Sequence, residues 1–137
     1  MKYFLPFLIL LSGCSILGSH KSVYTPLNGD WYPIDQKFAG LQFPESTYAT
    51  QRLMLRDSSY ILSSEVVDSG KMICSDSTMD IYGIEGPNAG NHFMAIYKLR
   101  NDTLTISYNL TGGSYPDTFV SDSTNYYFVS IFVRAKD

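Results

Sequence analysis

Thr103-Leu104-Thr105-Ile106-Ser107-Tyr108-Asn109-Leu110 alternates, residue by residue, between a hydroxyl or amide side chain and an apolar one. Successive side chains of a β-strand point to opposite faces, so this period of two is what a strand with one dry and one wet face requires. A helix would place its apolar residues three and four apart, and here they fall two apart. The residues before the stretch supply a partner strand. Phe93 to Leu99 is largely apolar, and Asn101-Asp102 between the two runs has the side chains of a tight turn. The pair reads as an antiparallel hairpin.

The same rhythm extends outward from this hairpin. Segments 28–38, 51–56, 59–66, 70–75, 78–84, 92–99, 103–110 and 126–134 read as strands, with a short extra strand at 117–121, and no longer window carries a helical stripe. Asp57-Ser58, Asp68-Ser69-Gly70 and Asp76-Ser77 punctuate the middle of the chain, each with a side-chain oxygen that can cap a turn. Such spacing predicts an all-β antiparallel meander, sandwich or barrel. Ser-Asp-Ser-Thr occurs at 75–78 and again at 121–124, which is shared turn chemistry and not a repeat. Two longer connections break the rhythm: Ala39 to Thr50, with one helical turn expected after Pro44, and Thr111 to Asn125, with Gly112-Gly113 and Pro116. Long loops on a meander gather at its ends, as rims or lids.

At 137 residues the chain has room for one domain. Its start, Lys2 followed by an apolar run from Tyr3 to Leu11 and then Ser12-Gly13-Cys14, is shorter than the roughly 20 apolar residues of a membrane span and fits a secretory signal. Leu11-Ser12-Gly13-Cys14 resembles the lipobox of bacterial lipoproteins, in which the cysteine thiol receives a diacylglyceryl group and becomes the mature N-terminus. The implied layout is a signal peptide over 1–13, a lipidated Cys14 with a flexible tether over 14–26, and a β-domain over 27–137. The lipobox implies palmitate-type acylation of Cys14, and Ser15, where an aspartate marks inner-membrane retention, implies outer-membrane anchoring in the bacterial cell envelope. The lipid bilayer is then a partner through acylated Cys14. Residues 15–25 are mostly small or polar and without periodicity, as a tether should be.

With Cys14 consumed by lipid, Cys74 has no disulfide partner and reads as a buried, inert thiol. The ten basic residues, Lys2 among them, face thirteen acidic ones, and neither sign forms a run. A nucleic-acid footprint is absent.

Gly29-Asp30-Trp31 opens the first strand and Arg134 ends the last. This resembles the lipocalin-type G-x-W signature, in which the first-strand Trp plugs one end of an eight-stranded up-and-down barrel and a basic residue of the final strand lies across its ring. The chemistry is coherent. Gly29 permits a close approach, Trp31 fills the tapering end, and the Arg134 guanidinium over an indole gains about 0.5 to 2 kcal/mol. A longer resemblance, over residues 27–134, is to a family of small uncharacterised lipocalin-like domains from bacteria, seen first in planctomycetes. Its landmarks are Leu27-Asn28-Gly29-Asp30-Trp31, Asp68-Ser69-Gly70, Gly86-Pro87-Asn88-Ala89-Gly90, Ala95-Ile96-Tyr97-Lys98-Leu99, Asp102-Thr103-Leu104, and Pro116 with Phe119. The resemblance implies an antiparallel up-and-down eight-stranded lipocalin-like barrel and no particular activity. At Ser114-Tyr115-Pro116 the family commonly has a basic residue before the proline, so a charge-dependent role for that loop does not carry over.

Catalytic chemistry has no foothold in the sequence. A hydrolase needs a nucleophile with a positioned base, and the histidines are His20 in the tether and His92 beside a Gly/Pro/Asn-rich turn, so the chain reads as a non-enzyme without catalytic residues or cofactors. Asp76, Asp80 and Glu85 do not match the spacing of a calcium loop, and no metal site is expected. Gly86 to Gly90 lacks the ending and the strand-to-helix context of a phosphate loop and reads as a hairpin turn. The Asn101-Asp102-Thr103 and Asn109-Leu110-Thr111 sequons carry no weight on a bacterial lipoprotein.

Tyrosines spread over most segments, Tyr60, Tyr97 and Tyr108 among them, either line an apolar cavity with hydroxyl tips or fill the barrel themselves, and short strands favour filling. Two functions follow. One is a tethered binding module for a small lipophilic or amphiphilic ligand, lined by Leu53, Leu55, Ile106 and Tyr108 on the alternating apolar faces. The other is a structural envelope protein with a filled barrel that binds an envelope protein partner on its outer surface.

Overall fold

The structure is a computed structural model and describes residues 22–136. The expected signal segment 1–13, the lipidation site Cys14 and the first part of the tether lie outside the described residues. The elements are β1 (Gly29–Phe38), a two-residue β2 (Leu41–Gln42), β3 (Arg52–Arg56), β4 (Ser59–Ser63), β5 (Val67–Cys74), β6 (Thr78–Glu85), β7 (His92–Arg100), β8 (Thr103–Asn109) and β9 (Tyr127–Arg134). From β3 to β9 every strand pairs antiparallel with the next, and β1 closes the sheet against β3 on one side and β9 on the other. β2 only folds back on the end of β1. The remaining eight strands form a closed up-and-down barrel, the fold expected from the alternation and the G-x-W and Arg134 ends.

The turns explain why the chain meanders. Asp57 and Asn101 adopt φ of 50° and 51°, the left-handed conformation that two-residue hairpins demand and that short polar side chains tolerate. The helical turn after Pro44 is a 3-10 turn, Glu45–Thr47. Two expectations are corrected. Asp68-Ser69-Gly70 is not a turn but part of β5, and the turn before it is Ser64-Glu65-Val66. The register shifts between Ser69 and Gly70, and a Cβ at Gly70 would stand 1.9 Å from the Tyr82 carbonyl oxygen, so the glycine is there for close strand approach. Residues 117–121 form no strand, because their backbone finds side chains instead: Val120 N–H donates to Thr118 Oγ1 at 3.1 Å and Asn125 Nδ2 to the Val120 carbonyl at 3.1 Å.

The short turns 57–58, 75–77 and 101–102 gather at one end of the barrel, and the connections 39–51, 64–66, 86–91 and 110–126 at the other. Both long loops thus share one end, as expected. β1 touches β3 only over Gly29–Trp31; beyond that it pairs with β9, with a bulge between Pro33 and Asp35, and at its last two residues with β2. On the outer face Asp30 clamps this short contact by bonding Arg52 and, at 3.1 Å, Arg56, and the pair holds its carboxyl below the usual range. Beyond Trp31 the two strands part. The gap is bridged by Gln36 Nε2 donating to Gln51 Oε1 at 2.8 Å and by the Tyr48 hydroxyl donating to the Ile34 carbonyl at 3.2 Å.

The strand that decided the fold does not have a wet face. Its polar residues Thr105, Ser107 and Asn109 are only 7%, 0% and 5% exposed. The 110–126 connection lies over them as a strap. Asn109 Nδ2 donates to the Ser114 carbonyl at 2.9 Å, its Oδ1 accepts from Thr111 N–H at 3.1 Å, and Phe119 sits over Lys98 at 4.6 Å on neighbouring β7. The period of two holds and the wet face does not, because the loop covers it: the loop supplies partners to Asn109, while Ser107 Oγ is buried without one among the described residues.

The domain also begins earlier than Leu27. The Tyr24 hydroxyl accepts from Cys74 N–H at 3.1 Å, and Pro26 and Asn28 offer their carbonyls to Arg134, so Tyr24 and Pro26 belong to the short-turn end and not to a free tether. Among the described residues, the eight barrel strands and the contacts named here that close its ends lie within 22–136, so the domain carried by residues 22–137 has its own core.

Candidate functional site

One end of the barrel is shut. Trp31 is fully buried and its Nε1 donates to the Leu27 carbonyl at 2.9 Å. The Arg134 guanidinium carbon lies 4.3 Å from the indole centroid, and its nitrogens donate to the carbonyls of Asn28 at 2.6 Å and Pro26 at 2.7 Å and to Asp102 at 3.1 Å. Gly29, Trp31 and Arg134 are thus brought together at this end.

Above this plug the barrel is hollow. A cavity of about 360 Å³ is walled by the inward faces of the strands and opens toward the long loops. Leu53, Leu55, Ile106 and Tyr108, singled out from the alternation, all line it, joined by Met72, Met79, Ile81 and Phe132. The expectation of a tyrosine-filled barrel is therefore corrected, for two reasons. Few tyrosines reach this space: Tyr32, Tyr82, Tyr115 and Tyr126 are exposed, and Tyr97, although part of the core, lies beside the short turns, where it donates to the Ser75 carbonyl. Inward positions also include the small residues Ala95 and Ser130, which leave space a larger side chain would take.

The lining is apolar with a polar patch that composition did not reveal. Asp68, only 6% exposed, accepts from Tyr60 Oη at 3.4 Å, from Asn88 N–H at 3.2 Å and from Asn88 Nδ2 at 2.9 Å. Asn88 comes from the Gly86–Gly90 turn, whose glycines let it fold back on β5: a Cβ at Gly86, where φ is 94°, would stand 2.3 Å from the Val67 carbonyl oxygen. Burial pushes the Tyr60 hydroxyl up to about 12, with the Asp68 charge adding to the shift. The Tyr108 hydroxyl is raised further by burial and makes no hydrogen bond among the described residues. Asp68 and Asn88 escaped sequence reading because both look like turn residues. The only available signal was an aspartate two residues before a glycine in a segment otherwise spaced as a strand.

The remaining residues singled out from sequence stand outside the cavity. His92 is on the outer face, with Nε2 2.7 Å from Asp80 Oδ1 and its ring stacked on Tyr82 at 4.3 Å. The Tyr115 hydroxyl donates to the other Asp80 oxygen, so this group fastens the strap. Asp76, Asp80 and Glu85 do not converge, and among the described residues no group of three metal-ligating side chains does. Cys74 is half-buried beside the core, and burial pushes its thiol up to about 11. No family model, curated protein or solved structure matches the chain.

Proposed function

We propose that this protein binds a small lipophilic or amphiphilic molecule inside its barrel, and that acylated Cys14 holds it on a bacterial envelope membrane, most readily the outer one. The observation that carries the reading is the cavity of about 360 Å³, closed at one end and open at the other. Ligand sites run from about 300 to 1,000 Å³, so the occupant is small, with one chain or ring system and not a two-chain lipid. Leu41, Val66, Ile84, Leu110 and Tyr126 are exposed on or beside the connections of the open end, which gives an apolar ligand a favourable surface on its way in. The lipocalin-like resemblance of the sequence landmarks fits the same use of the interior. The alternative, an envelope protein that binds a protein partner through its outer surface, loses the filled barrel on which it rested.

Native mass spectrometry of the full-length protein taken from its own membrane tests this without guessing the ligand. An acylated Cys14 N-terminus and a retained small adduct are expected. Reproducibly empty protein, together with no displacement of a lipophilic fluorescent probe from residues 22–137, overturns the binding reading and leaves a partner-binding envelope protein.

A further inference from the structure

The walls of the cavity carry one carboxylate, Asp68, and no lysine, arginine or histidine. Its three protein contacts are the Tyr60 hydroxyl, which can donate or accept, and two obligate donors, Asn88 N–H and Asn88 Nδ2. The two amide N–H groups suit a carboxylate, which offers about four lone-pair sites and has three of them engaged here. The Tyr60 contact is the longest of them at 3.4 Å. A buried charge without a counter-charge is costly, and an uncharged side chain would serve as well if the residue only tied Asn88 to the wall. The surroundings repeat the sign. The four connections around the open end contain Glu45, Glu65, Asp117 and Asp122 and neither lysine nor arginine, so the mouth favours cations and repels anions on approach. Tyr108 adds a hydroxyl oxygen that has no partner among the described residues to the same lining.

We infer that the molecule this barrel accepts is a cationic amphiphile, an apolar body ending in a protonated amine, with the amine seated on Asp68. The inference rests on the binding reading above and names its ligand class. The ammonium takes the open lone pair of Asp68 and competes with the long Tyr60 contact. An anionic amphiphile of the same length, a fatty acid included, would bring a second negative charge to a wall with no cation to meet it.

The test is displacement of a neutral lipophilic fluorescent probe from residues 22–137 at pH 7.5 by decylamine, decanol and decanoate, three ligands with the same chain. Decylamine is expected to act at a concentration at least about tenfold lower than decanol, with decanoate the weakest. In Asp68→Asn the advantage of decylamine over decanol should fall below about threefold. Decanoate equal to or better than decylamine, or an amine advantage that survives in Asp68→Asn, overturns the assignment and leaves the binding reading standing. Failure of all three to displace the probe removes both. Should Asp68→Asn not fold, the wild-type protein still decides. The Asn88 side-chain amide resonances should move with decylamine and not with decanol, and amide signals indifferent to decylamine contradict the proposal.

Discussion

Gly29 and Arg134 compete for the same space, and the fold resolves the conflict by leaving Gly29 without a side chain. A Cβ at residue 29 would stand 2.7 Å from Arg134 Nη1, and φ there is 148°, where a side chain is already strained. Arg134 cannot step aside without releasing two backbone carbonyls and the indole of Trp31. Gly29→Ala and Arg134→Lys should therefore each cost about 2–3 kcal/mol in urea unfolding, since a lysine does not reproduce the planar fork. Asp102→Ala, which removes an exposed partner of the same arginine, should stay within about 0.5 kcal/mol. An Arg134→Lys protein as stable as wild type would contradict the plug. Buried acids set the response to alkali. Burial raises Cys74 to about 11 and Tyr60 and Tyr97 to about 12, so the folded state holds these protons more tightly than the unfolded chain does. Their contribution is complete below the ordinary values of 9 and 10 and is lost as the pH rises toward 12. Thermal unfolding across that range should show a falling midpoint, less steep in Tyr60→Phe. A midpoint flat from pH 9 to 12 would show that these groups are not buried as described.

At the scale of elements, the strap and β8 depend on each other. Asn109 organises the first turn of the strap through both ends of its amide, so Asn109→Ala should cost about 1–2 kcal/mol and leave the strap loose. Hydrogen exchange checks this: amides of 111–126 should lose protection while those of β3 to β5 keep theirs, and uniform loss across the barrel would mean that the strap is not a separate element. What was legible in the sequence follows the same division. Strand edges were readable because the period of two and turn chemistry such as Asp57-Ser58 and Asn101-Asp102 are local. The strap over β8 was not, because Ser107 and Asn109 look the same whether water or a loop meets them. Asp68 was unreadable for the matching reason, since a turn-like Asp-Ser-Gly became a bulged strand only once Tyr82 and Asn88 came near. The inward lining residues, Leu53, Leu55, Ile106 and Tyr108, were recoverable from alternation alone. Whether space remained between them was not, because volume depends on which tyrosines turn outward.

For the molecule as a whole, the account holds that a plugged and strapped barrel keeps a hollow interior for a ligand. Filling that space should abolish binding without unfolding the protein. Ile106→Trp, placed in the cavity wall, should weaken probe binding by about tenfold or more while the far-ultraviolet spectrum stays that of the wild type. Unaltered probe affinity in a folded Ile106→Trp protein would place the probe on the outer surface. The most direct measurement is a methyl NMR titration of residues 22–137 with decylamine, because inward and outward methyl groups alternate along the same strands. The account predicts that Leu53, Leu55, Ile81 and Ile106 move together along one saturable curve while the exposed Ile34, Ile61 and Ile73 stay still. Saturable shifts confined to the exposed methyl groups, or none at any concentration below the onset of micelles, would contradict it.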